Sequence, residues 1–240
     1  FQKRSPRLSV PPARWKEPKQ APWGEVLPYI EYKERMELGG PAYDAIAAEC
    51  RALGLGWTAS AWDLPSVEFL LAYAPPFLKI PSACLTDLAL LEAMRRSGRP
   101  VLASTGMSTE AQIDRAVAAL GPDRLILLQC TSSYPCATEE LNLSCILWLR
   151  ERFDVPSGYS GHHPGIWDGF AAAVLGACAV EKHVTLDRTA WGTDQAASLE
   201  PAGFARMVRY IRRWEAAKGD GVKRVYDSEL PVRAKLRRVS

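Results

Sequence analysis

Short apolar runs alternating with amphipathic helical stretches recur along most of this chain, and that alternation leaves few folds open. The runs Trp57–Ala61, Phe77–Ile80, Pro100–Ser104, Arg124–Gln129, Val155–Tyr159 and Ala179–His183 read as strands. Between and after them, helical spacing covers Tyr43–Leu53, Ser66–Ala74, Leu85–Ser97, Thr109–Leu120, Asn142–Arg152, Ile166–Leu175 and Pro201–Ala217. Asp87 and Thr109 stand where helix N-caps belong. A β–α alternation places strands in parallel with crossover helices, so the fold is either a doubly wound sheet or a closed barrel. Two features favour the barrel. No GxGxxG follows any strand, and polar clusters follow the ends of at least five different strands, where an open sheet concentrates its ligand groups at one switch point. The chain is therefore predicted to be an α/β protein of the (β/α)8 TIM-barrel type. Its 240 residues lie close to the roughly 250 that such a barrel takes as one domain.

Six clear strands, with a strand end at Phe1–Lys3, fall short of eight. The expectation is a barrel lacking the first βα unit and most of the second strand. The chain opens on Phe1-Gln2-Lys3-Arg4 without Met and closes on a basic run, so both ends look cut. The Pro-rich stretch from Pro6 to Pro28 reads as a long loop. Thirty Lys and Arg against 27 Asp and Glu give a net charge of +3, too balanced for a dedicated nucleic-acid binder. No run of about 18 apolar residues and no signal-peptide pattern occurs, so no membrane partner is expected. Six cysteines without a CxxC pair suit reduced thiols in a cytoplasmic protein.

The three histidines all sit in two strand-end motifs, Gly158-Tyr159-Ser160-Gly161-His162-His163 and Glu181-Lys182-His183-Val184-Thr185. If the two strands are neighbours, His162 and His183 point into one barrel mouth. Two neutral imidazoles with substrate or water oxygens make an open first-row metal site able to polarise a carbonyl. A hydrogen-bonded structural role for each is the alternative, and His163 should face elsewhere. Lys79 leaves an apolar strand beside Ser82, and Ser104 follows on the next strand in Ser104-Thr105-Gly106-Met107-Ser108. A charge and hydroxyls so placed suit a phosphate or carboxylate, against the alternative of a surface lysine and two helix caps. Tyr134 and Asp194 offer hydrogen bonds to a polyhydroxylated ligand, though turn chemistry explains them equally well. Cys130 has no evident base nearby and reads as a buried thiol.

Taken in order, the segments Phe1-Gln2-Lys3-Arg4, Pro22-Trp23-Gly24, Trp57-Thr58-Ala59-Ser60-Ala61-Trp62-Asp63, Lys79-Ile80-Pro81-Ser82, Ser104-Thr105-Gly106-Met107-Ser108, Thr131-Ser132-Ser133-Tyr134-Pro135, Gly158-Tyr159-Ser160-Gly161-His162, Glu181-Lys182-His183-Val184-Thr185-Leu186 and Ser198-Leu199-Glu200-Pro201 resemble the catalytic barrel of the sialic acid synthase family. These are the phosphoenolpyruvate-condensing synthases of N-acetylneuraminate, legionaminate and pseudaminate. The resemblance implies a barrel followed by a small antifreeze-like domain, here absent, and homodimers in which that domain caps the partner's barrel. It implies a divalent metal, usually manganese (Mn2+), on His162 and His183. It further implies a phosphoenolpyruvate site using Lys79, Ser82, Ser104 and Ser160, with Ser132 standing where some members have Asn. Gln2, Tyr134 and Asp194 match positions that face the N-acylated amino sugar. Lys79, Tyr134 and Asp194 are thereby the expected catalytic groups.

Departures accompany the match. Gly161 replaces the Asp usual before the metal histidine, and Gln195 replaces a frequent His after Asp194. A first-strand acid and a second-strand lysine of the family fall upstream of Phe1. The implied reaction joins phosphoenolpyruvate, an N-acylmannosamine-type sugar and water into a nine-carbon 3-deoxy-2-ulosonic acid with release of phosphate. The rival enzyme class, a phosphoenolpyruvate-dependent aldol synthase acting on a sugar phosphate, calls for a further Arg/Lys cluster, and none stands at the strand ends. A catalytically silent or truncated barrel serving as an assembly or binding module is the rival outside catalysis.

Overall fold

The computed structural model describes residues 1–239. Nine strands occur among them: β1 (Gln2–Lys3), β2 (Pro18–Gln20), β3 (Val26–Pro28), β4 (Ser60–Ala61), β5 (Leu78–Ile80), β6 (Val101–Ser104), β7 (Leu125–Cys130), β8 (Ser157–Gly161) and β9 (Val180–Lys182). The helices are α1 (Pro6–Ser9), α2 (Tyr29–Met36), α3 (Gly40–Ala52), α4 (Leu64–Leu71), α5 (Leu88–Arg96), α6 (Glu110–Leu120), α7 (Cys145–Phe153), α8 (Trp167–Val174), α9 (Pro201–Ala217) and α10 (Leu230–Leu236). Seven strands form one sheet in the order β1-β4-β5-β6-β7-β8-β9, every pairing parallel, and β2 and β3 form a separate antiparallel pair. All six predicted strands are present, and β1 coincides with the expected strand end at Phe1–Lys3.

Local chemistry sets the boundaries. Asp63 caps α4 by accepting the Ser66 N–H, with Pro65 in the first turn, so the helix starts two residues before the predicted Ser66. Asp87 caps α5 by accepting the Leu90 N–H. The Thr109 N–H donates to the Gln112 side chain at the start of α6, at 2.8 Å. Strand β8 starts later than predicted, at Ser157, because Pro156 has no N–H to donate to the ladder.

The opening segment corrects the sequence reading. Residues 6–28 are not one long loop. Pro6 opens the short helix α1, and Pro18 and Pro28 sit at the ends of the β2–β3 pair, positions that require no interior ladder donor. Helix α2 follows at once. A Pro count marks irregular backbone in general, yet here each proline occupies a site that tolerates it.

The core lies between the sheet and the helices. Leu78, Ile80, Val101, Ala103, Leu125 and Leu127 point outward from their strands onto Leu70, Leu90, Leu91, Met94, Ile113, Ala116 and Leu149. Each fully buried Leu or Ile side chain contributes about 1.5–3 kcal/mol relative to exposure. Strand alternation then turns Lys79, Ser104, Cys130, Ser160 and Glu181 to the opposite, inner face. In a flat sheet β5 and β9 would be four strand intervals, about 19 Å, apart. Yet Lys79 Nζ on β5 is 3.6 Å from Glu181 Oε2 on β9. The sheet therefore curls so that its two flanks meet across the inner face. No helix among the described residues is long and apolar enough to cross a membrane.

Candidate active site

The inner face carries its polar groups at the C-terminal ends of the strands. Lys79 is buried at 4% exposure and donates to Ser104 Oγ at 2.7 Å and to the Ile80 carbonyl at 2.8 Å. Burial holds its pKa below the ordinary lysine value, against the opposing pull of the Glu181 carboxylate. Ser160 donates to the other Glu181 oxygen at 2.9 Å. A charge this deep is costly without partners, and the carboxylate and two oxygen acceptors around it answer that cost.

Next to this lysine the loop after β6 forms a cup. Gly106 is hemmed by Ser132 Oγ, Ser82 Oγ and Cys130 Sγ. A Cβ on Gly106 would lie 2.8 Å from the Ser82 hydroxyl and 3.1 Å from the thiol, and closer still to that of Ser132. Ser82 Oγ reaches Cys130 Sγ at 3.4 Å, and Ser132 Oγ lies 3.8 Å from the same sulfur. A cationic nitrogen flanked by hydroxyls around a residue without a side chain suits a phosphoryl group approaching closely.

The two predicted histidines meet. Their ring centroids are 5.2 Å apart, and the Tyr134 ring lies 4.1 Å from His162 and 5.8 Å from His183. His162 Nδ1 is 2.7 Å from the Thr131 carbonyl, so it carries the proton and donates to it. His183 Nδ1 lies 3.7 Å from Asp194 Oδ2. Burial and the neighbouring His162 push the His183 pKa down, which favours the neutral, ligating form. Among the described residues no three or more His, Cys, Asp or Glu side chains gather as a metal site. The protein donors thus amount to two imidazoles, a set that fits a divalent ion whose remaining ligands are water or substrate oxygens. His163 turns away, packing edge-on against Trp167 and accepting the Gly165 N–H. Burial and the surrounding carboxylates and Cys130 raise the Tyr134 phenol to about 12, so it serves as a neutral hydrogen-bonding group.

Of the predicted residues, Lys79, Ser82, Ser104, Ser132 and Ser160 line one half of this mouth, and His162, His183, Tyr134 and Asp194 the other. Gln2 stands on β1, its carbonyl accepting from Tyr43 at 2.6 Å. Two participants went unassigned from sequence. Glu181 joins Lys79 to Ser160, and it was findable as the residue two before His183 on one strand face. Cys130 does have a basic neighbour, contrary to the sequence reading. Burial pushes its thiol up, but His162 with the Ser82 and Ser132 hydroxyls outweighs that and brings it below the ordinary value. Burial likewise pushes His162 down, and Cys130 and the Thr131 carbonyl raise it above the ordinary value. The β7–β8 register, which seats Cys130 opposite Ser160, brings the pair together.

Outside the mouth, Lys182 points to the helix side, where Asp168 on α8 neutralises it at 2.9 Å, both side chains fully buried. Tyr159 also donates to Asp168 at 2.9 Å. The Tyr159 ring occupies the space beside Gly161 that any side chain there would need.

The model of the NeuB family matches residues 1–223. The chain belongs to this family, the sialic acid synthases. It is 38% identical over 218 residues to N-acetylneuraminate-9-phosphate synthase of Mus musculus, covering 89% of this chain and 60% of that protein. It is 34% identical over 215 residues to N,N'-diacetyllegionaminic acid synthase of Legionella pneumophila, covering 87% and 60%. The chain thus spans about 60% of the length of these curated relatives. Among solved structures it is similar to the N-acetylneuraminic acid (sialic acid) synthetase of Leptospira borgpetersenii in complex with citrate. That likeness has a TM-score of 0.83 at 29% identity and covers 100% of this chain and 81% of that one.

Proposed function

We propose that this family member is the barrel portion of a synthase condensing phosphoenolpyruvate with an N-acylmannosamine-type sugar and water. The products are a nine-carbon 3-deoxy-2-ulosonic acid and phosphate. The observation that carries the reading is the junction of two sites on one inner face. The Lys79–Ser104 cup around Gly106 is one, and the His162–His183 pair with Tyr134 and Asp194 is the other. One half suits a phosphate, and the other suits a carbonyl-bearing polyol.

In this reading Lys79 and the hydroxyls of Ser82, Ser104, Ser132 and Ser160 hold the phosphoryl group and stabilise charge as phosphate departs. Asp194 accepts hydrogen bonds from sugar hydroxyls, and Tyr134 and Gln2 shape the wall of the sugar site. C3 of the enol forms the new bond to the sugar's aldehyde carbon, water adds at C2, and the C2–O bond to phosphate breaks. Lewis-acid polarisation of the aldehyde is the chemistry that a divalent ion, manganese by family resemblance, supplies when held by His162 and His183. Cys130 takes no covalent part, since no step needs an enzyme-bound intermediate. The open edges of β1 and β9 flank the place that an eighth strand fills in a closed (β/α)8 barrel, and a cytoplasmic homodimer completes the proposal.

The test is phosphate release by the full-length protein in a coupled assay, with each substrate alone and both together. Release that requires both substrates and a divalent ion supports the reading, and release from phosphoenolpyruvate alone rejects it. His162→Ala and His183→Ala should each abolish the binding of Mn2+ seen by electron paramagnetic resonance while the thermal melt stays cooperative. Undiminished Mn2+ binding in either variant rejects the ligand assignment.

A further inference from the structure

The loop after β7 serves both halves of the mouth. Ser132 belongs to the cup around Gly106, and the Tyr134 ring lies 4.1 Å from that of His162. The same segment grips His162 twice. The histidine ring donates to the Thr131 carbonyl at 2.7 Å, and the histidine's own carbonyl accepts the Cys136 N–H at 3.1 Å. A shift of this loop therefore moves a hydroxyl of the cup and one histidine of the pair together, and its setting depends on what holds it from behind.

Two ties close the loop at its base. Gln129 is the next to last residue of β7, and strand alternation turns its side chain outward while its neighbour Cys130 faces the mouth. It is buried at 8% exposure, and its Nε2 donates to the Leu141 carbonyl at 3.1 Å, across 12 positions of chain. Thr131 Oγ1 donates to the adjoining Glu140 carbonyl at 2.7 Å. Leu141 is itself seated in a small core with Cys136, Ile146, Tyr159 and Ala172, so the carbonyl that Gln129 holds belongs to a fixed residue. A buried amide is costly unless its hydrogen bonds are made, and an apolar side chain of similar volume would pack at this position without that demand. The Thr131 bond is exposed, so water can replace it, whereas the Gln129 bond is buried and its loss leaves the Leu141 carbonyl without that donor.

We infer that Gln129 is a positioning residue, which acts from behind the mouth by tying Leu141 to β7 and so holds the loop that sets Ser132 and His162 relative to each other. Thr131 supports it through the second tie. The cup and the histidine pair stand on different strands, and this loop is the segment that touches both, so the buried amide fixes a distance that neither strand sets alone. The inference rests on the proposed condensation for the roles of the cup and of the histidine pair.

The experiment compares the full-length protein with Gln129→Leu, with Thr131→Val and with Leu120→Ala, the last a core change near the start of β7 and away from the mouth. Three quantities are read: amide hydrogen exchange of residues 131–141 without substrates or metal, phosphoenolpyruvate affinity by calorimetry, and Mn2+ affinity by electron paramagnetic resonance. Gln129→Leu should keep a cooperative melt and speed exchange in that segment by about tenfold or more. It should weaken Mn2+ binding by about tenfold, the lower end for lost support of a metal ligand, and phosphoenolpyruvate binding by about threefold or more, as one misplaced neutral hydrogen bond gives. Thr131→Val should act in the same direction and less. Leu120→Ala should lower the denaturation midpoint and leave both affinities within about twofold of the parent, as a distant independent site does. Unchanged exchange in Gln129→Leu overturns the inference, and so does an equal loss of both affinities in Leu120→Ala, which would make the amide merely structural. Faster exchange with both affinities intact overturns it too, and leaves the synthase reading standing. The expected losses, in a protein that releases no phosphate when given both substrates, keep the positioning role and reject the synthase.

Discussion

Replacing Lys79 by Met removes the one charge at the centre of the phosphate cup while keeping most of the stem's bulk. Lys79 Nζ makes two short hydrogen bonds, to Ser104 Oγ and to the Ile80 carbonyl, and faces Glu181 at 3.6 Å. A hydrogen bond to a charged group is worth about 1.5–3 kcal/mol. At 1.4 kcal/mol per decade, its loss weakens phosphoenolpyruvate binding by about 10- to 150-fold. The fold should hold, because the cost of burying the ammonium disappears with it and Glu181 keeps the Ser160 hydroxyl and some exposure to water. The pH dependence has a definite sign. Burial lowers the folded-state pKa of Lys79, so the stability cost of its charge is present in full below that pKa and is relieved as pH rises towards the unfolded value. Phosphate affinity follows the ammonium form. It should decline as pH rises through the lowered pKa, before an ordinary lysine of pKa about 10.4 would deprotonate. Calorimetric titration of phosphoenolpyruvate into the full-length protein and the Met variant across this range measures both effects. An unchanged affinity at neutral pH, or the same alkaline decline in the Met variant, refutes the reasoning.

Two further outcomes follow from close packing. Gly106→Ala pushes a methyl among Ser82, Ser132 and Cys130, so phosphoenolpyruvate affinity should drop by about tenfold or more with a near-normal melt, and an intact affinity would show that the cup is not the phosphate site. Asp168→Asn leaves Lys182 charged and unpaired in a fully buried place, at about 3–5 kcal/mol, so the denaturation midpoint should fall strongly, and a midpoint within experimental error of the parent contradicts that electrostatic role.

The strands, most helices and the grouping of Lys79 with Ser104 were legible because each rests on local pattern plus one topological step. Apolar runs of four to six residues give strands, and parallel order puts their C-terminal ends together. What escaped depends on register between strands. Cys130 and His162 are 32 positions apart, and only the seating of Cys130 against Ser160 makes them neighbours. The segment from Pro6 to Pro28 escaped for a different reason. Proline removes donors, which argues against interior helix and sheet, but a two-stranded ribbon of three residues per strand can seat its prolines at the ends. The ribbon was therefore hidden inside a stretch whose composition suggested no fixed geometry.

One strand shows how narrow the division of labour is. Glu181, Lys182 and His183 are consecutive, and the period of two sends Glu181 and His183 to the inner face and Lys182 to the helices. A register slip of one residue would place the lysine ammonium in the mouth and strip the Lys79 ammonium of its carboxylate. The Lys182–Asp168 pair opposes that slip from the far side. It ties β9 to α8 through a bond that forms only when Lys182 points outward. Tyr159 on β8 donates to the same carboxylate, so both histidine-bearing strands are fastened to one helix residue. Asp168 touches neither substrate half of the mouth, yet the relative setting of His162 and His183 depends on it. Gly161 belongs to the same device, since any side chain there would displace the Tyr159 ring that completes the fastening.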